Sequence, residues 1–135
     1  MLWIDNMMFK FGEIFEDCFQ CDPPTGWKTL VESLVEYINW HNSVHRSDVK
    51  VHLITEAHGG LKFVIHTQPT SPIIAEEIFG AIHLAETMSC KICQKCGAPA
   101  EFRKYRIEGN LKMSALCDMH FEELSHELDL EKTSD

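Results

Sequence analysis

The sequence predicts an α+β fold, with helices packed on a β-hairpin and a cysteine-rich C-terminal module. Three observations carry this expectation. Two stretches repeat apolar residues at helical spacing, and a stretch between them alternates with period two around His58-Gly59-Gly60. The last third replaces apolar periodicity with closely spaced cysteines. At 135 residues and 44% apolar composition the chain amounts to one soluble domain.

The first 21 residues are rich in large apolar side chains. Ile4, Met8, Phe11, Phe15 and Cys18 follow helical spacing, although Gly12 interrupts the run. Cys21 to Gly26 is a breaker, because Pro23 and Pro24 fix φ and remove two donors. A helix over about 27–45 follows. Trp27, Leu30, Val31, Leu34, Val35, Ile38, His41 and His45 form one stripe, and Glu32, Glu36 and Asn39 fall on the other side. A hairpin is expected over about 48–67, with Val49, Val51 and Leu53 on the same inward face as Leu61, Phe63 and Ile65. Gln68 to Pro72 breaks the chain again. The next helix, over about 72–90, takes Ser71 as N-cap and Pro72 as its first residue, and turns Ile74, Ile78, Ala81, Ile82, Ala85 and Met88 inward. Ala100 to Ile107 and Leu111 to Leu116 read as two short strands, Asp118 to Leu128 as a helix, and Glu131 to Asp135 as a frayed end. The expected organisation is an α+β body over 1–89, a module over 90–120, and an acidic helix and tail over 121–135.

Charge divides along similar lines. The formal balance is −9, yet residues 90–120 carry +3 while 1–47, 48–89 and 121–135 carry −4, −3 and −5. An acidic body with one basic segment argues against a generic nucleic-acid coat. No apolar run approaches the roughly 18 residues of a membrane span. The N-terminus shows neither a basic start nor a small-residue cleavage site, so no secretory signal is expected. Six cysteines in that context predict a reduced, cytoplasmic chain.

The cysteine spacing is the strongest chemical signal. Cys93 and Cys96 form a C-x2-C pair, and Cys117 stands three residues before His120. Zinc favours four tetrahedral thiolate or imidazole ligands, and an x2 spacing lets one tight turn present two of them. Gly97 after Cys96 suits such a turn. Cys90 with Cys93 is an alternative pair, but it lacks the following glycine and Cys90 falls near a helix end. The expectation is one structural zinc ion on Cys93, Cys96, Cys117 and His120, supplying folding energy that a module this small lacks. A second metal on Cys18, Cys21, His41 and His45 is the weaker expectation. The two histidines are one helical turn apart, but the gap from the cysteines exceeds usual finger spacing.

Taken in order, the motifs resemble a family of short, largely uncharacterised bacterial and phage proteins with a C-terminal zinc-ribbon-like module. The matching pieces are Phe11-Gly12-Glu13-Ile14-Phe15, Cys21 with Gly26-Trp27, Gly59-Gly60-Leu61-Lys62-Phe63, Gly80-Ala81-Ile82 and Ala85-Glu86. They continue through Cys93-Gln94-Lys95-Cys96-Gly97-Ala98-Pro99 and Leu116-Cys117-Asp118-Met119-His120. The resemblance implies a cytoplasmic, phage- or mobile-element-encoded protein with those four ligands, and no assigned activity. One departure stands out: Lys112-Met113-Ser114-Ala115 occupies the place where such proteins carry Gly-Trp before the Leu-Cys pair.

Enzymatic signatures are missing. A zinc deaminase needs His-x-Glu ahead of Pro-Cys-x-x-Cys, whereas Glu56-Ala57-His58 runs in the reverse order and no proline precedes Cys93. Glu76 and Glu77 diverge by about 100° on a helix and read as a solvated face. The leading expectation is therefore a non-enzymatic, zinc-stabilised acidic protein that binds a basic protein partner, of the phage inhibitor or immunity type. The alternative is a nucleic-acid-binding regulator using Arg103, Lys104, Tyr105 and Arg106 within the basic segment 103–112. A metal-dependent enzyme is the third class.

Overall fold

The computed structural model describes residues 2–67, 71–128 and 131–132, and it is a mixed helix-and-sheet molecule. The elements in order are α1 (Trp3–Lys10), β1 (Gln20–Cys21), α2 (Lys28–His45), β2 (Val49–Ala57), β3 (Gly60–Thr67) and α3 (Pro72–Ser89). The chain continues through β4 (Glu101–Ile107), β5 (Asn110–Leu116), α4 (Asp118–Leu128) and β6 (Glu131–Lys132). The α+β expectation holds. The second breaker's Gln68, Pro69 and Thr70 and the tail's Thr133 to Asp135 lie outside the described residues.

One core unites the first two thirds. Met7, Ile14 and Phe15 from the N-terminal segment meet Trp27, Val31, Leu34, Val35 and Ile38 of the α2 stripe. Val49, Val51 and Ile54 of β2, Leu61 and Phe63 of β3, and Ile78, Ile82 and Ala85 of α3 close it. Most of the positions that predicted two helices and a hairpin are buried, but His45 and Met88 are exposed and Leu53 and Ile65 only partly covered.

The hairpin departs from strict alternation. Pairing runs Val51↔Ile65 and then Leu53↔Val64, so His52 is an extra residue in β2. A bulge reverses the phase of a strand, and Ile54 is fully buried where the alternation placed Leu53. The cause is non-local. β1 runs parallel to β2, and the Phe19 N–H donates to the His52 carbonyl at 2.8 Å. At the turn, His58 and Gly59 take φ of 53° and 88°, the positive pair that a two-residue hairpin loop requires. Gly60 is already in β3.

The outer edge of β3 is blunted by α3. Ser89 Oγ accepts the Leu61 N–H at 2.8 Å, and Glu86 Oε2 accepts the Phe63 N–H at 3.1 Å. These side chains stand where a further strand's carbonyls would be. Ser71 occupies the N-cap position of α3 with Pro72 first in the helix, but its hydroxyl makes no capping bond.

The C-terminal third is a second, smaller sheet in the order β5-β4-β6. Glu131 and Lys132 do not fray: they pair with Arg106 and Tyr105. Its hairpin turn repeats the positive φ pair, at Glu108 and Gly109.

Candidate metal centre

The end of α3 tightens into a turn and delivers Ile92, which bridges to Pro99. Within that bridge the Cys93 N–H donates to the Ala98 carbonyl at 2.8 Å, and the Gly97 N–H donates to the Cys93 carbonyl at 2.9 Å. Gly97 has φ +82°, which allows the chain to double back behind Cys96 at little steric cost. The second half comes from the β5–α4 junction. Cys117 follows β5, its carbonyl accepts the Phe121 N–H at 2.9 Å, and His120 stands in the first turn of α4. A bond of 2.9 Å from the Gln94 N–H to the Ala115 carbonyl ties the two halves together.

Four side chains converge there. The ligand atoms of Cys93, Cys96, Cys117 and His120 all lie within 4.8 Å of one another. His120 Nδ1 is 3.5 Å from Cys93 Sγ and 3.2 Å from Cys117 Sγ, and the Cys96 and Cys117 sulfurs are 3.9 Å apart. Metal bonds of about 2.3 Å to sulfur and 2.05 Å to nitrogen at tetrahedral angles give S···S about 3.8 Å and S···N about 3.6 Å. The cluster could therefore bind one metal ion. None of the cysteines forms a disulfide.

The backbone prepares the thiols. Burial pushes Cys93 up, but hydrogen bonds from the backbone N–H groups of Cys117, Cys96 and Lys95 outweigh it and bring the thiol down to about 6. At Cys96 the Ala98 N–H pulls downward, yet desolvation and the neighbouring Cys93 and Cys117 sulfurs leave the thiol raised. A cation held among these sulfurs would favour the thiolate form of each.

The cluster is locked to the body through Gly26 and Trp27. The Gly26 N–H donates to the Gln94 carbonyl at 2.8 Å, and Trp27, fully buried, donates Nε1–H to the Ile92 carbonyl at 3.0 Å. A Cβ on Gly26 would sit 1.9 Å from the Cys93 carbonyl oxygen, so no other residue fits. Sequence reading placed Trp27 on the α2 stripe but missed this docking role. Its only local signal is the Gly26-Trp27 pair, one residue after Pro23-Pro24.

The other predicted positions fare differently. Cys18 and Cys21 are not brought together with His41 and His45 in a four-ligand cluster. Among the described residues, Cys93, Cys96, Cys117 and His120 are the only such grouping of three or more histidine, cysteine or acidic side chains. Cys21 is pushed up to about 12 by burial, reinforced by Cys18 and Asp22, which suits a core thiol. His41 instead packs against α3, with Nε2 3.3 Å from Glu77 Oε2. Glu77, read as a solvated residue, is exposed and reaches that ring with one carboxylate oxygen. Cys90 stays outside the cluster, its thiol 3.8 Å from the Glu86 carbonyl.

The basic strand is largely committed to structure. Arg103 donates from Nη2 to Asp118 at 2.7 Å and from Nε to the Leu116 carbonyl at 3.1 Å, and its guanidinium covers the Phe121 ring. Tyr105 is buried beside Phe121 and shares a 2.8 Å hydrogen bond with Ser114. Arg106 donates to the Gly109 carbonyl. Arg103 and Tyr105 thus fasten α4, and with it His120, onto the hairpin. No helix among the described residues is long and apolar enough to cross a membrane.

Compared with family models, curated proteins and solved structures, the chain matches none.

Proposed function

We propose that the protein is a non-enzymatic interaction module, an acidic α+β body stapled by one structural zinc ion, that binds a basic protein partner. The convergence of Cys93, Cys96, Cys117 and His120 carries this reading. Three sulfurs and one imidazole are a donor set that zinc favours, and four protein ligands leave no coordination position for substrate. The function then rests on surface, and a formal charge of −9 steers cationic partners. The motif resemblance supports a zinc-ribbon-like module in a cytoplasmic bacterial or phage protein, and size and acidity support an inhibitor or immunity-type role. The nucleic-acid reading is the weaker one, because Arg103 and Tyr105 are already engaged within the chain.

Elemental analysis of protein purified without chelator is expected to give one zinc per chain. Capture from the native host is expected to return a specific, basic protein released by salt. An ordered C-terminal third without bound zinc would overturn the staple, and the absence of any specific protein partner would overturn the interaction role.

A further inference from the structure

The two long helices run antiparallel. His41 of α2 meets Glu77 of α3, while Leu30 and Ser33 share a groove with Met88 at the other end. Their outer seam is apolar. Trp40 and Val44 on α2 are 52% and 54% exposed, and Ile73 and Leu84 on α3 are 68% and 60% exposed. Apolar ridges of this extent on a surface mark a place where another molecule packs.

Three further observations bear on the seam. A Cβ on Gly80, in the same stripe as Leu84, would meet nothing within 4 Å. Glycine is the poorest helix former after proline, and no contact within the chain requires it there, whereas a close-approaching external backbone would. Beneath the seam His41 is fully buried, with Nε2 3.3 Å from Glu77 Oε2 and no hydrogen-bond partner at Nδ1. At the lower end the seam opens into a cavity of about 720 Å³, lined by Leu30, Met88 and Ile92 and reaching Cys96 and Gly97 of the metal cluster.

We propose that this seam docks a cationic amphipathic helix of a protein partner, a deepening that rests on the acidic-interaction reading above. Charge selects the occupant. Glu36, one turn before Trp40, and Glu76 and Glu77 on α3 are exposed carboxylates on the two helices, whereas Glu86 is committed to the Phe63 N–H and Lys28 lines only the cavity at the lower end. A second copy would bring the same carboxylates and its own −9 against them. From Leu30 to Val44 the seam spans roughly 20 Å at 1.5 Å per residue, the length of a helix of about four turns with anchors at i, i+3/i+4 and i+7.

The test uses the full zinc-loaded chain and a fluorescent Leu/Lys peptide of about 18 residues with leucines at helical spacing. The controls are a Leu/Glu peptide of the same pattern and a scrambled Leu/Lys peptide. Anisotropy is expected to show the patterned Leu/Lys peptide binding at least about tenfold tighter than either control, with high salt weakening it. Gly80→Met and Leu84→Lys, at positions where the new side chain meets solvent, are expected to retain the wild-type circular dichroism and lose about tenfold in affinity. Unchanged binding by both variants would overturn the seam as the docking site while leaving the acidic-partner reading intact. No preference for lysine over glutamate would overturn both, and equal binding of the scrambled peptide would overturn the helical occupant. A dimer by light scattering that Leu84→Lys splits would assign the seam to a second copy instead.

Discussion

The body and the cysteine-rich third are built on opposite principles. The body buries sixteen apolar side chains in one continuous cluster drawn from its helices, its strands and the N-terminal segment. Beyond Cys90, the buried apolar residues among those described are Cys93, Tyr105, Ala115 and Leu116, and one of these is itself a candidate ligand. Four such residues are few against the conformational entropy of about forty described ones, at roughly 1–2 kcal/mol of backbone entropy each. The body can be stable by burial. The C-terminal third depends on something polar, and the sulfur–imidazole cluster is the only candidate of sufficient strength among the described residues.

Removing the metal is the strongest way to break that contrast. Structural zinc sites contribute roughly 10 kcal/mol or more of folding free energy at neutral pH. Chelation, or Cys117→Ser, is therefore expected to abolish amide protection across β4 and β5 while α2, β2 and β3 keep theirs. Native-state hydrogen exchange read residue by residue checks it. Equal loss in both regions would make the molecule one cooperative unit, and protection retained in the hairpin would mean that the cluster is dispensable.

The next largest effect is expected at the joint. Gly26→Ala forces a Cβ into the Cys93 and Gln94 backbone, where no rotamer relieves it, and strains the 2.8 Å bond to Gln94. Overpacking of this kind costs about 1–3 kcal/mol. Because the clash falls on the ligand-bearing turn, metal retention against a competing chelator should fall together with the denaturation midpoint. A variant with lower stability and undiminished metal retention would show that body and cluster are coupled less tightly than the Gly26–Trp27 contacts indicate.

The two regions also differed in how far their sequence revealed them. The boundaries of α2, α3, β4, β5 and α4 were legible to within a residue or two. In the body, apolar periodicity runs to punctuation at Pro23-Pro24 and Ser71-Pro72, while β4 and β5 were marked off by the turn residues Glu108-Gly109, and those signals are local. The four-residue cluster was legible because metal coordination demands short spacings on each side of a hairpin. What escaped was non-local. The bulge at His52 depends on Phe19 reaching across to its carbonyl, and the docking of Trp27 depends on a carbonyl 65 residues away. The grouping of Cys18 and Cys21 with His41 and His45 failed for the same reason. Helical spacing aligned the two histidines, but tertiary packing gave His41 a neighbour on α3 that no spacing rule contains.

The smallest expected effect sharpens the comparison by its sign. Cys93 is held at about 6 in the folded chain, below its ordinary value near 9, so between those values the unfolded chain carries the extra proton. Stability from this thiolate is full above 9 and is lost as pH falls through about 6. Cys21 is raised to about 12, so above 9 the folded chain carries the extra proton and stability falls as pH rises toward 12. Acid should therefore loosen the C-terminal hairpin first, with release of metal as protons compete for its ligands, whereas alkali should act on the body around β1. A pH series of hydrogen-exchange maps separates the two limbs. If acid and alkali weakened the same residues, the division into a burial-held body and a metal-held third would fail, because thiols on opposite sides of it would then report on one shared equilibrium.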